Sequence, residues 1–148
     1  MKSRKVIIFI GILLLLTAFA AVIHLSTREN IPKHTIQVTK GEDVYTVDIM
    51  ELEYETVSGV RRNGKGEEIP IKGDAIAMRT LLEHLKITDF STVTIVADDS
   101  YNANVTKEEI EKKDKVYLFL EEDTLRLVVF EDENSKRSVS HVVQICVE

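Results

Sequence analysis

Two short groups of residues carry the functional chemistry legible in this chain. One is Asp98, Asp99, Ser100, Tyr101 and Asn102, which follows the uncharged β-branched run Val93-Thr94-Ile95-Val96-Ala97. The other is the pair Arg61-Arg62 in an earlier stretch of strand character. A carboxylate accepts two hydrogen bonds at once, a tyrosine offers a flat face, and an arginine meets an anionic or carbonyl edge. Asp99, Tyr101, Asn102, Arg61 and Arg62 are therefore the candidate ligand-binding residues, suited to a planar heterocycle rich in donors and acceptors. The same Asp, Ser and Asn also suit a plain turn closed by its own hydrogen bonds. As a catalytic acid and base, Asp98 and Asp99 are poorly placed, since neighbours on a strand point to opposite faces. No catalytic residue is assigned.

The elements that must hold these groups follow from pattern. The run at 93–97 reads as a strand covered on both faces. Thr106-Lys107-Glu108-Glu109 reads as a capping box that opens a short helix. Residues 34–39 and 44–49 alternate apolar and polar about Lys40-Gly41-Glu42-Asp43, a hairpin signal, and 55–62 and 67–72 do the same about Asn63-Gly64-Lys65-Gly66. Residues 50–54 have the character of a helical turn. Gly73 and Asp74 would open a helix over 75–86, with Ala77, Met78, Leu81, Leu82 and Leu85 as its core stripe. Val116-Tyr117-Leu118-Phe119-Leu120 is unbroken and predicts a strand buried on both faces. Residues 125–130 and 138–147 complete the set, for about seven strands and two helices in an α+β fold.

Composition limits the role. The chain has 148 residues, 44% hydrophobic and 30% charged, and a net charge of −6, enough for one domain with a real core. Lys2, Arg4 and Lys5 are the only charges in residues 1–27, so the remainder carries 16 basic against 25 acidic residues. That sign excludes nucleic acid as a partner. Cys146 is the single cysteine, so neither an internal disulfide nor a cysteine metal cluster is available. It reads as a small core residue. His24, His34, His84 and His141 are scattered, and the acidic groups at 121–123 and 131–133 lack the spacing of a calcium loop. No metal ligand is assigned. Phosphate-loop, dinucleotide, zinc-protease and nucleophile-elbow motifs are absent from the sequence.

Residues 6–23 form an 18-residue uncharged run interrupted only by Gly11 and Thr17, long enough to span a bilayer. The basic cluster before it keeps the N-terminus cytoplasmic, which predicts a single-pass cell-membrane protein with an extracytoplasmic domain. The alternative is a cleaved signal peptide ending near Ala18-Phe19-Ala20, with a secreted product. Residues 1–27 are thus the expected anchor or signal segment, 28–33 a linker and 34–148 the domain.

From Gly73 onward the chain resembles the molybdopterin-binding domain of sulfite-oxidase-type oxidoreductases. The resemblance is carried by Met78-Arg79-Thr80-Leu81-Leu82 as an LxxLL helix, Asp99-Ser100-Tyr101 at an Asp-Gly-Tyr strand end, Leu125-Arg126-Leu127-Val128-Val129-Phe130 as an LRLVVP-like segment, and Ile145-Cys146-Val147. Extended over 34–148, it implies a strand-rich fold with a concave site for a pterin or molybdopterin. Ser100 stands where that family has glycine. The catalytic members hold molybdenum through a cysteine in the stretch matching Thr56-Val57-Ser58-Gly59-Val60-Arg61-Arg62, which has none here, so catalysis is not expected. The implied function is a membrane-anchored domain binding a pterin-like ligand without turnover. The alternatives are a molybdenum-cofactor oxidoreductase subunit and an interaction module with no ligand; besides the pterin-like ligand, a membrane protein is a candidate partner.

Overall fold

The structure is a computed structural model that describes residues 10–20, 34–133 and 135–148. The chain divides into two compact units, Met1–Pro32 and Lys33–Glu148. In the first, residues 10–20 form helix α1, and Ile10, Ile12, Leu13, Leu14, Leu15, Leu16 and Phe19 are exposed along it. The remainder of the expected anchor or signal segment, and the linker, lie outside the described residues. Among the described residues no helix is long and apolar enough to cross a membrane.

The second unit is α+β and mostly strand. Its strands are β1 (Thr35–Lys40), β2 (Asp43–Asp48), β3 (Glu55–Arg62), β4 (Glu68–Ala77), β5 (Thr92–Ala97), β6 (Asn102–Thr106), β7 (Val116–Glu121), β8 (Thr124–Val129) and β9 (Val142–Val147). Helices α2 (Met78–His84) and α3 (Lys107–Glu111) and two single turns of 3-10 helix, Ile49–Glu51 and Ser135–Arg137, complete it. One sheet has the order β2-β1-β9-β5-β6, antiparallel except where β1 runs parallel to β9. The other, β3-β4-β7-β8, is antiparallel throughout.

The main core gathers Ile36 and Val38 from β1, Val93 and Ile95 from β5, and Ile145 and Val147 from β9 against Leu118, Leu125 and Leu127 of the second sheet. Met78, Leu81 and Leu82 of α2 join it. The unbroken apolar run of β7 divides between two cores because successive side chains face opposite sides. Val116 and Leu118 enter the main core, whereas Tyr117 and Phe119 pack with Ala75, Val128 and Phe130 in a second cluster. There the rings of Tyr117, Phe119 and Phe130 stand 5.7–6.4 Å apart in tilted and edge-on pairs, a favoured geometry for aromatic quadrupoles.

The β3–β4 hairpin covers this second cluster. Only Ala75, Ile76 and Ala77 of β4 pair with β7, while the rest of β4 pairs with β3 alone. A side chain at Gly59 would put its Cβ 2.7 Å from Cζ of the Phe130 ring, although β3 and β8 lie at opposite edges of the sheet. The hairpin therefore curls across the sheet, and glycine is what lets its backbone reach the ring.

Several sequence expectations are corrected here. The stretch 75–77 is the end of β4 rather than the start of a helix, since its pairing with Tyr117, Leu118 and Phe119 outweighs local helix preference. Helix α2 starts at Met78 without a side-chain cap, and Asp74 instead accepts a hydrogen bond from the Thr56 hydroxyl at 3.3 Å. The run at 93–97 is fully buried on one face only, through Val93, Ile95 and Ala97. The strand count is nine rather than seven, in part because Asn102–Thr106 is β6, with Ala103 and Val105 turned inward. Cys146 is half-buried rather than buried.

Candidate functional site

The stretch from Thr92 to Thr106 is a β-hairpin, and its tip is built to satisfy itself. The Ala97 amide donates to the Tyr101 carbonyl at 2.8 Å and the Ser100 amide to the Ala97 carbonyl at 3.0 Å. Ser100 sits at φ +70°, a left-handed conformation that glycine adopts most easily. Asp99 Oδ1 accepts from the Tyr101 amide at 2.9 Å, closing a turn that aspartate favours. Asn102 Nδ2 donates to the Ser100 carbonyl at 3.4 Å. Tyr101 is 45% exposed, and its hydroxyl donates to the Lys136 carbonyl. Asp99, Tyr101 and Asn102 are thus together on an exposed turn.

Arg61 and Arg62 end β3, on the other sheet, and none of Asp99, Tyr101 and Asn102 lines the cavities these arginines border. Arg61 borders a crevice of about 10 Å³ with Val128, Asp132, Arg137 and Ser138, the size of a single water molecule. The Ser138 hydroxyl is buried there without a hydrogen-bond partner. Arg137 occupies the surrounding space. Its guanidinium donates to both oxygens of Asp132, at 2.8 and 2.9 Å, and to both oxygens of Glu109, at 2.8 Å each. Arg137 hydrogen bonds are the main cause that holds the Glu109 carboxyl below its ordinary range. The two carboxylates in turn raise the Arg137 pKa further. Glu109 also completes the expected capping box, its carboxylate accepting from the Thr106 amide at 3.1 Å.

The larger cavity, about 510 Å³, opens between β3 and the end of β8, a volume within the ~300–1,000 Å³ of small-molecule pockets. Ser58, Gly59, Val60 and Arg62 form one wall, and Phe130 with Glu131, Asp132 and Glu133 forms the other. Glu68 and Asp114 close it. Arg62 pairs with Glu68 at 3.6 Å. Asp114 accepts from the Tyr117 hydroxyl at 2.9 Å, and the Tyr117 pKa is pushed up to about 12, by burial first and then by Asp114. Of the expected residues only Arg62 borders this cavity. Phe130 and Asp114 belong to it without having been singled out by sequence, and the 131–133 carboxylates, weighed there only as calcium ligands, belong to it as well. Their one local signal was that the LRLVV segment runs into Phe130.

The wall at 58–62 is the stretch where the resemblance would put a metal-ligating cysteine, and it offers the Ser58 hydroxyl. Cys146 lies on β9 of the other sheet. Among the described residues no group of three or more His, Cys, Asp and Glu is placed to hold a metal ion. The donor set therefore does not fit molybdenum, which favours a thiolate. No protein-family model matches the chain, and no curated protein is significantly similar to it.

Proposed function

We propose that this protein is a non-catalytic binding domain for a flat amino-heterocycle of the pterin kind, held outside the cell membrane by its N-terminal segment. The observation that supports it most is the 510 Å³ cavity along 58–62, the stretch that in the resembling oxidoreductases faces the cofactor. An amino-pyrimidine edge would donate to the carboxylates beside Phe130, and Arg62 would meet a carbonyl. With five carboxylates against one arginine, a phosphate-bearing ligand is disfavoured. The exposed apolar side chains of α1 agree with an apolar surrounding for that segment.

Calorimetric titration of the full chain in detergent with oxidised and reduced pterins tests the reading. Saturable binding is expected, weakened at least ~tenfold in Arg62→Gln, a loss of about 1.4 kcal/mol. Asp99→Asn, which does not line the cavity, should leave it unchanged. Absence of binding to the wild type at millimolar ligand would refute the proposal. That result would leave an interaction module without ligand, a reading favoured by the way Arg137 fills the crevice at Arg61.

A further inference from the structure

The tip of the β3–β4 hairpin brings together the parts of a self-directed reaction. Asn63 and Gly64 are adjacent, and an asparagine followed by glycine can close on itself, because the next backbone nitrogen is a potential nucleophile and no side chain screens it. Three contacts sharpen that general tendency. Asn63 Oδ1 accepts hydrogen bonds from the Lys65 amide at 2.9 Å and the Glu67 amide at 3.0 Å. Two backbone donors on one carbonyl oxygen polarise it and are placed to stabilise the negative charge that grows there when the carbon is attacked. Asn63 Nδ2 donates to Glu67 Oε2 at 2.8 Å, which fixes the amide so that its oxygen, not its nitrogen, faces those donors. Among the described residues, nothing accepts a hydrogen bond from the Gly64 amide, so this nitrogen is not engaged elsewhere.

We propose that Asn63 is a site of spontaneous deamidation assisted by the folded hairpin. The Gly64 nitrogen forms a bond to Asn63 Cγ and gives up its proton to solvent. The bond from Cγ to Nδ2 breaks, and the amide nitrogen leaves as ammonia after taking up a proton. Water then opens the resulting cyclic imide at either carbonyl, giving aspartate or isoaspartate, with no change of oxidation state. The product carries a new carboxylate next to Arg62, beside Glu67 and Glu68.

The full chain, incubated at neutral and mildly alkaline pH, is digested and its peptides weighed, once after incubation folded and once in urea. Conversion at Asn63 is expected in the folded chain at a rate at least equal to that in urea, and at least ~tenfold faster than at Asn102 or Asn104 of the same sample, a barrier difference of one decade in rate. In Gly64→Ala the added Cβ meets nothing within 4 Å, so the hairpin keeps its shape while the nitrogen is screened, and conversion should slow at least ~tenfold. Conversion that is ~tenfold slower folded than in urea would overturn the assisted reaction. So would an undiminished rate in Gly64→Ala. These readouts do not involve pterin binding, so they stand or fall apart from the proposed function.

Discussion

Replacing Arg137 by Met removes the charge at the junction of three elements and keeps most of the side chain's bulk. In the wild type the guanidinium makes four charge-assisted hydrogen bonds to Glu109 of α3 and Asp132 of the β8–β9 connection. The side chains of Arg137, Glu109 and Asp132 are only 21%, 18% and 12% exposed, so solvent cannot fully compensate the carboxylates left behind. Breaking a buried pair on one side costs about 3–5 kcal/mol. Partial exposure and Lys115, 3.9 Å from Glu109, reduce that, so a loss of about 2–4 kcal/mol is expected. Urea unfolding at pH 7 measures it. The pH dependence separates electrostatics from packing. Because the folded-state pKa of Glu109 is depressed, its contribution is fully present above the unfolded value near ~4.3 and is lost as pH falls through the depressed value. The difference between wild type and Arg137→Met should therefore shrink as pH drops below about 4. A loss under ~1 kcal/mol at pH 7, or one that stays constant into acid, would refute the reasoning.

Leu82→Ala should destabilise by about 2–5 kcal/mol, since Leu82 is 1% exposed in the main core, and a denaturant midpoint unchanged from wild type would contradict that placement. Gly59→Ala should cost roughly 1–3 kcal/mol through collision with the Phe130 ring, read by thermal unfolding, and Phe130→Leu in the same chain should recover part of it. Both Tyr54 and Tyr117 are pushed up to about 12, burial being the largest cause. A raised folded pKa means their contribution is present below about 10 and is lost as pH rises towards the folded values. Alkaline unfolding should therefore be shallower in Tyr117→Phe, and an identical profile would argue against the buried phenol.

The parts of the fold that sequence made legible are those fixed by neighbours in the chain. Asn63 caps its own hairpin, Thr106 and Glu109 cap α3, and Gly41 turns β1 into β2 at φ +59°. What escaped notice was set by partners far along the chain. Ala75, Ile76 and Ala77 carry an apolar pattern that suits a helix, and pairing with β7, joined at Ala75 by β3, makes them strand. Asn102 and Asn104 look like loop residues, yet the Asn104 side chain accepts from Thr94 across the β5–β6 ladder at 2.9 Å. The site divided along the same line. Arg62 was visible as a charge on a strand, whereas Phe130 became a cavity wall only through the curl of the β3–β4 hairpin. Asp99 had the right chemistry for a ligand, but its own turn uses one of its oxygens.

The position of β9 has a consequence for how the domain is made. It lies between β1 and β5, parallel to one and antiparallel to the other, and is the last of the nine strands in chain order. Until it arrives, the first sheet exists as two separate hairpins, β1–β2 and β5–β6, each with an inner edge and the apolar faces of Val38 and Ile95 open to water. Such edges invite pairing with other chains, and joining them requires contacts between residues as distant as Gln37 and Gln144, which form slowly. The domain should therefore depend most on chaperones in the interval before Val142–Val147 emerges.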